Sequence, residues 1–223
     1  MKDKLKTFIP RYGYFPIITL FAFNSLVYFL TKLVYDPARA YDLSLGIDHA
    51  LPFVPAFILF YILAYLQWAI GYIMIARESR EKLYKVATAN ILAKIFCGII
   101  FVALPTAMVR AEITGGGIFN WLTSFIYAAD TPAVNLFPSI HCLESWAVFR
   151  CSLKLKLPIG YKIAMGVFSL GVFLSVLLVK QHIILDIPAG ILVFELGYLI
   201  VHLTKVDQKI AKLLKTKTKE FHS

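Results

Sequence analysis

Charge is what this chain has least of. Only 16% of its 223 residues are charged, against about 25% in an ordinary soluble domain, which excludes a conventional water-soluble globule. Acids are scarcer than bases, 13 Asp and Glu against 23 Lys and Arg, for a net charge of +10. Cysteine is rare as well: Cys97, Cys142 and Cys151 all fall within or beside apolar runs. An odd number placed there reads as small core residues, not as a disulfide framework or a metal cluster. No internal repeat or low-complexity linker divides the chain, so a single domain over 1–223 is expected, with basic tails at 1–14 and 205–223. No short apolar run precedes a small-residue cleavage site, and the first span is expected to act as its own insertion signal.

Hydrophobic residues fill the chain instead, 59% by count, in runs near the roughly 20 residues that cross a hydrocarbon core. The expected fold is all-α: a polytopic membrane protein with six transmembrane helices, near 15–34, 52–76, 86–109, 139–153, 163–179 and 183–203. The fourth is the shortest, and it carries Glu144 and Arg150. Ile118–Ala129, "IFNWLTSFIYAA", is apolar but too short to cross. It is expected as an interfacial helix in the outer loop between spans three and four. Its aromatics read as an interfacial belt or as a wall guiding a lipid tail.

A net charge of +10 can signal nucleic acid, but its placement here argues against that partner. Of the 23 basic residues, 18 fall in four clusters: Lys2 to Arg11, Arg77 to Lys85, Arg150 to Lys162, and Lys205 to Lys219. Six spans put all four clusters on one side, the positive-inside pattern, with both termini cytoplasmic. The last cluster reads as a topology anchor or as a segment lying on anionic lipid. Lys32, Arg39, Lys94, Arg110 and Lys180 fall outside the clusters.

On the opposite side the same topology gathers Arg110, Ser139, His141, Lys180, Gln181, His182 and Asp186 at one depth. Ionisable groups there are costly and point to function. His182 and Asp186 stand i, i+4, which on a helix is one face. A carboxylate accepting one imidazole N–H fixes the tautomer and leaves the other nitrogen as an oriented lone pair. The pair reads equally as a nucleophile with its orienting acid or as a self-satisfied structural contact. In "NLFPSIHCLESW", Pro138 suits the first turn of a helix, and Ser139 with the free N–H groups of that turn suits an anion. His141 would then supply a proton. Arg110, after a Pro105 expected to kink or end the third span, offers a guanidinium fork for phosphate or snorkels to the interface. Glu144, one turn beyond His141, would tune that histidine, bind a substrate hydroxyl or pair with Arg110. Lys94 and Glu195, deep in their spans, would pair with each other.

In this order the residues resemble the type 2 phosphatidic acid phosphatase superfamily of membrane lipid phosphatases and phosphotransferases. That family's pattern is K-x6-R-P, then P-S-G-H, then S-R-x5-H-x3-D. Here the second part is Pro138-Ser139-Ile140-His141, and the third is Ser175-Val176, five residues, His182, three residues, Asp186. The first survives as Arg110, with Ala103 in place of the Lys and Ala111 in place of the Pro. Val176 replaces a phosphate-holding arginine, Ile140 a glycine, and Lys180 is expected to restore a lost charge. "PTAMVR … FPSIH … KQHIILD" is similar to the branch containing inositol phosphorylceramide synthases.

The resemblance implies that His182 attacks phosphorus as nucleophile, Asp186 orients it and His141 is the general acid. Arg110, Ser139 and Lys180 would hold phosphoryl oxygens, with Glu144, Gln181 and Ser175 behind them. No metal and no cofactor is implied. The expected function is a lipid phosphate phosphatase at the outer face of a plasma membrane, its partners a lipid phosphate substrate and membrane lipids. The alternatives are a phosphotransferase that moves a phosphorylated head group to an alcohol, and a non-catalytic phospholipid-binding or transport protein.

Overall fold

Long apolar runs become helix over most of the computed structural model, which describes residues 8–220. Lys2, Lys4 and Lys6 lie outside the described residues. In chain order the helices are α1 (Arg11–Leu33), α2 (Gly46–Ala50), α3 (Ile58–Glu78), α4 (Arg80–Ala103), α5 (Ile118–Ala129), α6 (Ile140–Ser152), α7 (Ile159–Leu178), α8 (Asp186–Thr204) and α9 (Val206–Glu220). Among the described residues there is no strand, only two isolated bridges, Tyr41 to Thr106 and Ala107 to Val134. These bridges tie three loops together at one end of the bundle.

Among the described residues five helices are long and apolar enough to cross a membrane: α1, α3 with its preceding turn, α4, α7 and α8. The fourth expected span is α6, only 13 residues, or about 20 Å of helix. Its low hydropathy has a structural reason. Helix α6 packs against α3, α4, α7 and α8, and Leu143, Ser145, Ala147 and Val148 are fully buried. A helix that touches protein on every side needs complementary partners, not lipid-compatible side chains. The outward faces of α1, α7 and α8 carry the exposed Phe29, Leu30, Ile163, Val167, Leu192 and Leu199 instead.

Two glycines set how closely α8 approaches its neighbours. A Cβ on Gly190 would lie 2.5 Å from the Ser139 carbonyl oxygen, and one on Gly197 would lie 2.7 Å from the Ala89 oxygen. Gly190 thereby brings the start of α8 against the start of α6, and Gly197 brings its later half against α4.

Helix α5 keeps the expected bounds, Ile118–Ala129. Two elements differ. The third span ends at Ala103, because Pro105 cannot continue the helix, so Arg110 lies in an extended connection and not at a helix end. The basic tail is helical and lies against α4, where Arg80 reaches the Ala211 carbonyl at 3.5 Å. Cys97, Cys142 and Cys151 are free and buried.

Candidate functional site

The end of α7 builds the site's central turn. Lys180 adopts the left-handed conformation, φ 51°, at the position after the helix cap. The Gln181 N–H donates to the Val176 carbonyl at 2.9 Å and the Lys180 N–H to Leu177 at 3.1 Å, which is the Schellman closure. The His182 N–H also reaches the Val176 carbonyl at 2.9 Å. The chain thus reverses at once, carrying Gln181 and His182 back over the end of the bundle. His182 and Asp186 do not share a helix face, as their spacing had suggested. His182 lies in the turn, and Asp186 is the first residue of α8.

The pair is close nonetheless. His182 Nδ1 is 2.9 Å from Asp186 Oδ2 and 3.0 Å from the Leu136 carbonyl oxygen. Two acceptors at Nδ1 require the hydrogen there, so in the neutral ring Nε2 carries the lone pair. Asp186 Oδ2 also accepts the Ile183 N–H at 3.1 Å, satisfying a donor of the turn that leads into α8. Leu136 is itself fixed, because Thr106 Oγ1 accepts the N–H groups of Leu136 and Phe137 at 3.1 and 3.2 Å. Asp48 anchors the turn from α2, accepting the Ile184 N–H at 2.7 Å.

His141, in the first turn of α6, faces His182 with ring centroids 6.1 Å apart. Its ring stacks on Tyr61 at 4.2 Å and meets Trp68 at 5.3 Å and Tyr65 at 5.7 Å. His141 Nε2 is buried and has no hydrogen-bond partner among the described residues. Both imidazoles line a cavity of about 310 Å³ between α1, α3 and α5. Its wall is apolar at Phe29, Ile62, Phe101 and Ile126, and polar at Asn24, Ser25, Tyr28, Asp130, Asn135 and Gln181. The aromatic helix α5 therefore serves as a wall through Ile126 and Ala129, while Trp121 and Phe125 stay exposed.

The expected phosphate-holding residues are placed differently. Ser139 is fully buried and caps α6, its hydroxyl accepting the Cys142 N–H at 3.3 Å, and it does not line the cavity. Lys180 points away: Nζ donates to the carbonyls of Asp48 and Leu51, both at 2.7 Å, at the exit of α2. Burial pushes that ammonium below its ordinary pKa, with Asp48 opposing the shift. Arg110 stays beside the site but is engaged. It pairs with Asp130, donates to Gln181 Oε1 at 2.8 Å, and lies 4.7 Å over the Tyr127 ring. Burial raises the Tyr127 hydroxyl to about 12, against the pull of Arg110.

The residues expected behind them divide as well. Gln181 is buried in the cavity wall, with Nε2 unpartnered among the described residues. Ser175 bonds only its own helix, at Val172 O, 2.8 Å. Glu144 pairs with Lys94, not with Arg110, at 2.5 Å. Glu195 pairs with Arg150 at 2.6 Å, not with Lys94. Among the described residues no three His, Cys, Asp or Glu side chains converge as a metal would need.

Asp130 and Tyr28 carried no sequence signal, yet both are in the cavity wall, where the Tyr28 hydroxyl donates to Asp130. The two are 102 residues apart in the chain, a separation that no local pattern reveals. Searches against family models, curated proteins and solved structures gave no match to the chain.

Proposed function

We propose that the chain is a multi-pass membrane enzyme that hydrolyses a phosphomonoester or pyrophosphate of a lipid through a phosphohistidine at His182. The observation that carries this reading is the doubly accepted Nδ1 of His182, which frees Nε2 within reach of a second histidine in a largely apolar cavity. Nε2 attacks phosphorus as the bond to the lipid oxygen breaks, and His141 gives that oxygen its proton. Asp186 stabilises the positive charge that develops on the His182 ring. Water then attacks phosphorus, its proton passes to His141, the P–N bond breaks, and inorganic phosphate leaves. Arg110 and the Gln181 amide are the donors beside this centre, stabilising charge on the phosphoryl oxygens.

In this reading α6 is the sixth crossing. A short helix is tolerable there because the chain at both its ends is buried in protein, at Leu136 and Leu155. The termini are cytoplasmic and the histidines extracytoplasmic, since Arg11 and the basic residues within 77–85, 150–162 and 205–212 lie at the opposite end of the bundle; the membrane proposed is a plasma membrane.

A second reading, transfer of a phosphorylated head group to an alcohol, is favoured by Arg110 and Asp130. Asp130 neutralises the one guanidinium at the site, which suits a singly charged phosphodiester better than a dianion. The polar wall at Asn24, Ser25 and Asn135 suits a hydroxylated acceptor.

The test uses purified full-length protein with phosphatidic acid, with a lipid pyrophosphate, and with a phosphodiester lipid donor plus an alcohol acceptor. Release of inorganic phosphate, lost in His182→Ala at an unchanged melting temperature, supports the hydrolase. A phosphodiester product without free phosphate supports the transferase. No turnover of any donor by wild-type protein would leave a non-catalytic phospholipid-binding protein.

A further inference from the structure

The opposite end of the bundle holds a second constellation that the phosphoryl chemistry does not use. Gly197 lets α8 lie against α4, which brings Tyr198 among cations from three elements. Arg150 from the last turn of α6 lies 4.1 Å from the Tyr198 ring centroid, Lys85 of α4 lies 4.9 Å away, and Lys154, just past α6, lies 5.8 Å away. Lys85 Nζ is also 2.9 Å from Nδ1 of His202 on α8.

Among the described residues one carboxylate lines the groove beside them. Glu195 accepts from Arg150 Nε at 2.6 Å and from Trp146 Nε1 at 2.8 Å. Three cations against one acid leave an excess of two positive charges around a single ring. Cation–π attraction offsets such repulsion only in part, and Arg150 Nη1 is buried without a hydrogen-bond partner among the described residues. The cluster is arranged for an anion.

The rest of the groove says which anion. It measures about 510 Å³, and its other wall is Leu192, Leu196 and Leu199, which are 67%, 49% and 51% exposed. Positions i, i+4 and i+7 form one stripe along α8, running from the cations toward the middle of a helix long and apolar enough to cross a membrane. A free phosphate ion has no use for that stripe, whereas an acyl chain does. Basic pockets between transmembrane helices at the cytoplasmic side suit anionic lipid head groups.

We propose that this groove binds an anionic glycerophospholipid, its phosphodiester between Lys85, Arg150 and Lys154 and one acyl chain along Leu192, Leu196 and Leu199. The site is separate from the histidine cavity, and it stands whether or not His182 is a nucleophile.

The test uses delipidated full-length protein in neutral detergent, titrated with phosphatidylglycerol, phosphatidylcholine or potassium phosphate. Bound lipid is counted by native mass spectrometry, and melting temperature is followed in parallel. Wild-type protein retains phosphatidylglycerol in preference to phosphatidylcholine. Lys85→Gln and Lys154→Gln each weaken that binding about fivefold, and the double variant about thirtyfold, at roughly one near-surface charge's worth per lysine. Leu196→Gln weakens it with no change of charge. Lys156→Gln with Lys162→Gln, on the same end of the bundle but outside the groove, leaves it unchanged. Equal retention by the groove and control variants would overturn the proposal as non-specific attraction. Equal protection by potassium phosphate would overturn the lipid assignment. A double variant that melts lower without lipid is read through Leu196→Gln, which must still lower retention.

Discussion

Glu144 is where a structural and a catalytic reading of the same residue separate most cleanly. It is 2% exposed, and Lys94 is fully buried. Glu144 Oε1 lies 2.5 Å from Lys94 Nζ, while Oε2 accepts from the Tyr72 hydroxyl and from Asn90 Nδ2, the latter at 3.0 Å. Lys94 also donates to the Leu20 carbonyl at 2.8 Å, so one pair joins α6, α4, α3 and α1. Removing one partner of a buried pair strands the other charge and costs about 3–5 kcal/mol, whereas removing both is often close to neutral. Glu144→Gln keeps acceptors for Tyr72 and Asn90 but strands the Lys94 ammonium, and Lys94→Met strands the carboxylate. Each single variant is therefore expected to lose about 3–5 kcal/mol, and the double variant less than either. Reversible unfolding in one detergent, read as a double-mutant cycle, measures the coupling. Additive losses would refute the pair as the explanation. Because Glu144 does not line the cavity, the folded fraction of Glu144→Gln keeps wild-type turnover per molecule. Loss of turnover at unchanged stability would make it a site residue instead.

Two further outcomes follow from the geometry. Asp130→Asn removes the carboxylate that holds Arg110 and is expected to lower KM for a dianionic lipid phosphate about tenfold, the worth of one charged hydrogen bond; an unchanged KM would mean that Arg110 does not meet substrate. Gly190→Ala places a Cβ 2.5 Å from the Ser139 carbonyl, which must push α8 from α6; a loss of about 1–3 kcal/mol in stability, with kcat falling as His141 and His182 separate, is expected in melting and turnover assays.

Helix positions were legible in the sequence because apolar runs of bilayer length leave few alternatives, and Ile118–Ala129 matches to the residue. His141, His182 and Asp186 were legible as a group because the span count put them at one depth. What pattern could not give was the direction of side chains leaving irregular backbone. Lys180 reads as a cation beside the histidine, but its left-handed backbone turns it toward α2. Ser139 reads as an anion ligand, yet the helix start consumes its hydroxyl. Charge pairing was misassigned for a different reason: Lys94, Glu144, Arg150 and Glu195 all lie within helices, and rotation about each axis decides who meets whom. Asp130 was invisible because its importance comes from Tyr28 and Arg110, both distant in sequence.

The most direct measurement is a rapid acid-free quench of the protein turning over a lipid carrying labelled phosphate, followed by mapping of the labelled peptide. A base-stable, acid-labile label on His182 is expected, forming at least as fast as phosphate is released. It should be absent in His182→Ala and form on the order of a thousandfold more slowly in Asp186→Asn, as when an orienting carboxylate is lost. Phosphate appearing with no label on His182, or at an undiminished rate in His182→Ala, would contradict the nucleophile assignment.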